Sequence, residues 1–177
     1  MVITGTNGSG KSWFARELAM RRADLEIVSY DAVRLTQNWA KRHEADVAKS
    51  MAGLVSKDSW IIEGGPSLLR HALHRAEGVV WLDPRPWLRA LRLAYRPWQN
   101  LGNVRDELPA GNVDWPLQQY RFGIASLANG QNARAAIETS LRAGSKRVVW
   151  HCRSKADVSR ALEAVSQAVF APDGMQP

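Results

Sequence analysis

The chain has one cysteine in 177 residues, Cys152, which excludes an intramolecular disulfide framework and fits a reducing interior. It has no run of 18 apolar residues, so no membrane-spanning helix is expected. The N-terminus shows neither the charged head nor the apolar core of a secretory signal, and the expected location is the cytoplasm without a membrane partner. The four histidines form no metal-binding pattern with acids or cysteine. His71 and His74 stand three apart but lack further ligands nearby, so no zinc site is expected. Internal repeats and low-complexity tracts are absent. Acidic residues are the scarcer charge: 17 Asp and Glu against 24 Lys and Arg give a net charge of +7. That balance suits anionic partners such as nucleotides, phosphorylated substrates or nucleic acid.

What is present begins at the N-terminus. Gly5-Thr6-Asn7-Gly8-Ser9-Gly10-Lys11-Ser12 fits the pattern G-x-x-x-x-G-K-[ST] and follows the apolar run 1–4 directly. Glycines in such a loop let the chain curl so that backbone N–H groups converge on phosphate oxygens. Lys11 then reaches the terminal phosphates, and the Ser12 hydroxyl is a ligand for Mg²⁺. Residues 13–22 read as a helix with Phe14, Leu18 and Trp13 facing a sheet, and its N-terminal dipole favours the same anion. The predicted ligand is a nucleoside triphosphate. The apolar run starts at Met1 itself, where such strands usually have a few residues of run-in, so a start codon assigned slightly late is one reading.

Apolar runs bounded by turn residues recur at 1–4, 25–29, 60–62, 78–82 and 147–151. Each is short and lacks clean alternation, as expected of strands buried on both faces of a parallel sheet. Helical patterns fill the gaps at 12–22, 31–43, 43–56, 67–75, 86–95, 115–128, 132–143 and 155–170. The alternation predicts a doubly wound α/β domain over 1–170 with ligand chemistry at the carboxyl ends of the strands. Trp60, Trp81 and Trp150 lie in or at strands and are expected in the core. One stretch breaks the rhythm. Residues 96–112 carry two Pro, two Gly and three Asn, too many for one regular element, and predict a lid-like insert at about 96–113. Residues 171–177 read as a frayed tail.

Three acids stand at predicted strand ends. Asp31 follows the second strand and is three residues before Arg34, so the two can share a helix face. Glu63 closes the third strand before Gly64-Gly65-Pro66, which would leave its carboxylate beside the phosphate loop to hold a Mg²⁺ water or orient an acceptor hydroxyl. Asp83 closes the fourth strand, and capping the helix that begins near Pro86 is the competing role. Arg89, Arg92 and Arg96 recur at helical spacing towards the irregular stretch, where phosphoryl transfer needs positive charge spread over the moving group. A solvated basic stripe is the alternative. Cys152 reads as buried packing and not as a nucleophile.

At this point the chain resembles the adenylate-kinase-like P-loop kinases, specifically the group related to DNA topology modulation protein (FlaR). The likeness rests on Gly5 to Ser12, on Tyr30-Asp31-Ala32-Val33-Arg34, and on Trp60-Ile61-Ile62-Glu63-Gly64. It continues through Leu82-Asp83, the helix from Trp87 with Arg92 and Arg96 four apart, Asp114-Trp115, Arg153-Ser154-Lys155 and Asp157-Val158. The resemblance implies a three-layer P-loop NTPase fold with a five-stranded parallel sheet of order 2-3-1-4-5, using ATP and Mg²⁺. It also implies that Arg34 approaches the acceptor's phosphate or polar end. Arg92 and Arg96 would contact the base and phosphates of ATP, and the turn at Arg153-Ser154 would lie against adenine. Two departures concern the acceptor half: Glu63 stands where the family usually has Asp, and the segment just beyond Asp114-Trp115 offers only Arg121 and Arg134 where relatives tend to be more basic.

The leading expectation is an ATP-dependent phosphotransferase acting on a small molecule such as a nucleoside or nucleotide. In it Gly5 to Ser12, Arg92 and Arg153 bind the donor, and Ser12 and Glu63 hold the metal. Asp31, Arg34, Glu63 and Arg121 face the acceptor. Lys11, Arg92, Arg96, Glu63 and Asp31 carry the transfer. The alternatives are a nucleic-acid-associated regulator, permitted by the charge but lacking any helix-turn-helix, zinc-finger or RNA-binding signature, and a nucleotide-binding switch or simple NTPase.

Overall fold

The computed structural model describes residues 1–99, 109, 111–112, 115–143 and 147–168. Five strands form one parallel sheet: β1 (Val2–Gly5), β2 (Ile27–Ser29), β3 (Ile61–Gly64), β4 (Gly78–Leu82) and β5 (Val148–Cys152), in the order β2-β3-β1-β4-β5. The expected architecture and strand order are both present.

Successive residues of the central strands are apolar because each side of the sheet carries its own helical layer. Val2, Ile62, Val79 and Trp81 point to one side, where α3 (Glu44–Val55), α4 (Leu69–Ala72) and α7 (Gly130–Arg142) supply Val47, Met51, Leu69 and Ile137. Ile3, Ile61, Val80 and Leu82 point to the other, against Phe14 and Leu18 of α1 (Lys11–Arg21) and Leu162 and Val165 of α8 (Lys155–Gln167). Phe14 and Leu18 are fully buried, and each such side chain contributes about 1.5–3 kcal/mol through removal from water. The remaining helices are α2 (Tyr30–Arg34), α5 (Pro86–Gln99) and α6 (Pro116–Ala128). Among the described residues, no helix is long and apolar enough to cross a membrane.

Several expectations need correction. Burial on both faces fails at β5, an edge strand on which Val148 is 56% and Val149 40% exposed. Of the three tryptophans, Trp81 is buried in the core, whereas Trp60 and Trp150 pack on its margins partly exposed. The helix expected over 31–43 stops at Arg34. Beyond it the backbone turns back on itself: Leu35 and Lys41 form an antiparallel bridge, Thr36 N donates to Ala40 O at 2.8 Å, and Asn38 and Trp39 adopt positive φ. The buried Asn112 stabilises this detour, its Oδ1 accepting from Trp39 N and its Nδ2 donating to Thr36 O at 3.0 Å. The helix expected over 86–95 continues as α5 to Gln99, with Pro97 inside its last turns, and so covers the first residues of the insert expected at about 96–113. A proline there forfeits the helical hydrogen bond that residue 97 would otherwise donate to the carbonyl four residues earlier. The rest of that insert falls largely outside the described residues, as do the 171–177 tail and Asp114.

Candidate active site

The loop between β1 and α1 is shaped by its glycines. Gly8 and Gly10 have φ of 76° and 102°, a left-handed backbone that favours residues without a Cβ. Ser9 N bonds back to Thr6 O at 3.1 Å, and Gly10 O accepts the first helical bond from Phe14 N at 2.9 Å. Gly10 caps α1 without a side chain, so the first N–H groups of an 11-residue helix are left for an anion.

This loop forms one wall of a cavity of about 850 Å³, lined among others by Gly8, Lys11, Ser12, Asp31, Glu63 and Arg92. Parallel strands β1, β2 and β3 deliver their carboxyl ends side by side, with Ile3 in register with Glu63 and Glu63 with Ser29. Glu63 is buried, and Ser29 Oγ donates to its Oε1 at 2.9 Å. Lys11 Nζ donates to Thr6 O at 3.2 Å. Desolvation holds the Lys11 ammonium below its ordinary pKa; the negative charges of Glu63 and Asp31 act against this, and Arg96 and Arg89 add to it.

The arginines of α5 divide by depth. Arg92 and Arg96 line the cavity, and Arg92 Nη1 donates to Gly8 O at 3.3 Å and Ser9 O at 3.0 Å. Arg89 is 6% exposed; its Nε donates to Asn7 O at 3.1 Å and its Nη2 to Ser126 O at 3.4 Å. It joins the phosphate loop to α6 and does not line the cavity. A trans peptide points its C=O and N–H in opposite directions, so holding the Asn7, Gly8 and Ser9 carbonyls turns the N–H groups of Gly8, Ser9 and Gly10 away from the arginines. Arg89→Ala leaves two carbonyls without their donor and is expected to destabilise the fold by about 2–3 kcal/mol. Arg92→Ala, at an exposed position, should change stability by less than about 0.5 kcal/mol. Urea unfolding of the two variants checks the contrast.

Of the residues expected from the sequence, Asn7, Gly8, Ser9, Gly10, Lys11, Ser12, Asp31, Glu63, Arg92, Arg96 and Arg153 come together around the cavity. Gly5, the last residue of β1, and Thr6 are buried and lie outside the cavity lining. Arg34 and Arg121 are not brought in. Arg34 Nε is held by Asp31 Oδ1 at 2.7 Å, with its guanidinium over the Tyr30 ring, and Arg121 stands exposed on α6. Asp83 does not spend its carboxylate on a helix cap: Oδ2 takes Arg134 Nε and His151 Nε2, each at 2.9 Å, while His151 stacks on Trp81. Trp13 faces the cavity and solvent instead of the sheet. Cys152 is buried, and its thiol is pushed up to about 11 by burial and by Asp157, as suits packing.

Sequence reasoning missed Ser29, Arg16, Arg85, Trp87 and Lys155, which also line the cavity. Ser29 carried a readable signal, a hydroxyl closing an apolar strand beside an acid-terminated one. Arg16 stands one helical turn beyond Ser12. The turn bearing Arg153 is fixed by a capping box, Asp157 N donating to Ser154 Oγ at 3.2 Å and Ser154 N to Asp157 Oδ2 at 2.8 Å. The Asp157 carboxylate also accepts from Ser154 Oγ at 2.8 Å, and that bond, followed by those from Arg160 and from the Ser154 and Arg153 N–H groups, holds the Asp157 carboxyl well below the usual carboxylate range.

Among the described residues, no group of three His, Cys, Asp or Glu could hold a metal alone. Ser12 and Glu63, both at the cavity, are the sparse oxygen donors that Mg²⁺ accepts when phosphate oxygens complete its shell.

Comparison with family models and with curated proteins finds no match. Among solved structures, the chain is similar to a sugar kinase from Janibacter sp. HTCC2649, an unliganded structure, at 20% identity over 94% of each chain with a TM-score of 0.51. It is also similar to TT1252 from Thermus thermophilus, at 16% identity over 93% of this chain and 94% of that one, with a TM-score of 0.53. At these identities the likeness is one of fold, a parallel α/β architecture.

Proposed function

We propose that the chain is an ATP-dependent kinase that transfers the γ-phosphoryl group to a small-molecule hydroxyl. The observation that carries this reading is the convergence on one cavity of the phosphate loop with Lys11, two α5 arginines and two carboxylates from neighbouring strand ends. A switch or a simple NTPase needs the loop. Beyond the carboxylate that would hold Mg²⁺, the second carboxylate in the same cavity is what supports an acceptor hydroxyl.

Each group then has a role drawn from its position. The N–H groups of the loop and the α1 N-terminus take the phosphates, and Lys11 takes the terminal oxygens. Ser12 and Glu63 would hold Mg²⁺, which when bound neutralises phosphate charge. Arg92 and Arg96 spread positive charge over the transferring group, and Arg153 with Ser154 borders the far end of the donor. Asp31 orients the acceptor hydroxyl and accepts its proton. The sugar kinase that shares the fold supports phosphoryl transfer as the reaction type and leaves the acceptor of this chain to experiment.

ADP release from Mg–ATP, followed with and without candidate acceptors, tests the reading. Release that rises severalfold or more with one hydroxyl compound is expected. Release at the same rate whatever is added would leave only a nucleotide hydrolase or switch.

A further inference from the structure

We propose that Trp13 and Trp87 form an aromatic platform for the nucleobase of the phosphoryl donor, so that the site selects donors by the stacking area of a purine and not by the edge of one particular base. The inference rests on the nucleotide-binding part of the reading above and assigns residues and selectivity to the end of the same cavity away from the acceptor.

The place follows from what the rest of the cavity is committed to. The phosphate loop, Lys11 and the first turn of α1 take the triphosphate, while β3 and the start of α2 bring Glu63 and Asp31 to the acceptor side. The remaining lining comes from the outward face of α1, the start of α5 and the turn into α8. Those three segments are held together. Asp83 N donates to Cys152 O at 2.8 Å, which keeps the connection into α5 beside the turn after β5. Leu162 and Val165 of α8 share a core with Phe14 and Leu18 of α1. A nucleotide with its phosphates on the loop extends its ribose and base towards this end.

Trp13 follows Ser12 directly. With Phe14 and Leu18 turned to the sheet, Trp13 stands away from it and is 51% exposed, and Trp87 in the first turn of α5 is 61% exposed. Both line the cavity. Among the described residues neither ring stacks on another ring or lies under a cation, and neither indole N–H is hydrogen-bonded. By contrast, Trp81 stacks on His151, and Trp98 Nε1 donates to Tyr120 Oη at 2.7 Å. Two bare indole faces in one cavity are unfavourable in water, and a purine laid on them removes apolar surface from solvent on both partners. Arg16, one helical turn beyond Trp13, and Arg153 line the same cavity, with no side-chain bond to the protein among the described residues. Guanidinium groups stack on bases and donate to N7, an acceptor that adenine and guanine share. Telling the two purines apart takes a carboxylate or amide matched to one edge. The lining side chains of that kind, Asn7, Asp31 and Glu63, belong to the loop and to the acceptor side.

Calorimetric binding to the whole chain with Mg²⁺ tests the assignment, using ATP, GTP, CTP and UTP and, as a phosphate chain without a base, inorganic tripolyphosphate. ATP and GTP are expected to bind within about tenfold of each other, and both about fivefold or more tighter than CTP and UTP, as stacking of a larger ring predicts. Trp13→Ala and Trp87→Ala should each weaken ATP by about 5-fold to 100-fold and leave tripolyphosphate within about twofold of the parent. Trp13→Phe and Trp87→Phe should recover most of the ATP affinity, because a ring is what the platform requires. An alanine variant at either position that binds ATP as the parent does overturns the inference, and so does equal loss for ATP and tripolyphosphate, which would make the tryptophan a support of the loop. Equal binding of purine and pyrimidine donors, or a gap between ATP and GTP of more than about tenfold, overturns it as well. ATP affinity that follows the two rings without transfer to any acceptor upholds the platform and removes the kinase reading. If neither ATP nor tripolyphosphate binds, both fall.

Discussion

Lys11→Met is expected to lower the rate of phosphoryl transfer by at least about 10²–10³-fold, the loss typical of removing one preorganised charge-stabilising group. The folded state gives a reason to expect loss of chemistry without loss of structure. Lys11 Nζ makes one hydrogen bond, to the Thr6 carbonyl at 3.2 Å, and its ammonium is held below its ordinary pKa by desolvation. Methionine keeps the length of the stem and removes the group whose burial is unfavourable. The melting temperature should therefore stay within about 4 °C of the parent, a shift worth roughly 1 kcal/mol in a chain of this size. Steady-state ADP release beside a thermal melt separates the two effects. A variant that keeps full turnover would remove Lys11 from the chemistry, and one that unfolds would make it a structural residue.

The largest stability effect belongs to Gly5→Ala. Gly5 ends β1 with φ of 156°, and a methyl there would press on the Leu82 carbonyl oxygen of the adjacent strand and on Ser9 Oγ of the loop. Backbone in the middle of a sheet cannot step aside as a flexible side chain can. The expected loss is about 3 kcal/mol or more, which for this length is a fall of roughly 6–12 °C in melting temperature. Gly53 provides the control. It lies in α3 with nothing within 4 Å of an added Cβ, so Gly53→Ala should raise stability by about 0.5–1 kcal/mol through helix propensity. Equal effects at the two sites would show that Gly5 is not placed by this contact.

The part of the site built from backbone was legible in the sequence. Gly8 and Gly10 are needed where φ is positive, so the loop declares itself as a spaced pattern. Strands β1, β3 and β4 are apolar without alternation because helices cover both of their faces. What stayed hidden depends on partners distant in the chain. The helix after Tyr30 is cut short where Asn112 takes up the backbone groups of Thr36 and Trp39, and no local propensity reports that. Arg89, Arg92 and Arg96 share one helical spacing, yet only packing of α6 distinguishes the buried brace from the two cavity residues. The three-residue step from Asp31 to Arg34 predicts that the two can meet. It does not predict that Asp31 would line the cavity while Arg34, bound to it at 2.7 Å, stays outside the lining.

The most direct test of the central claim is the fate of the γ-phosphate. With ATP labelled at that position, Mg²⁺ and a mixture of small hydroxyl-bearing acceptors, the label is expected in a phosphate ester of one acceptor, and Lys11→Met should not form that ester. Label released only as inorganic phosphate, at a rate indifferent to the acceptor, would contradict the account.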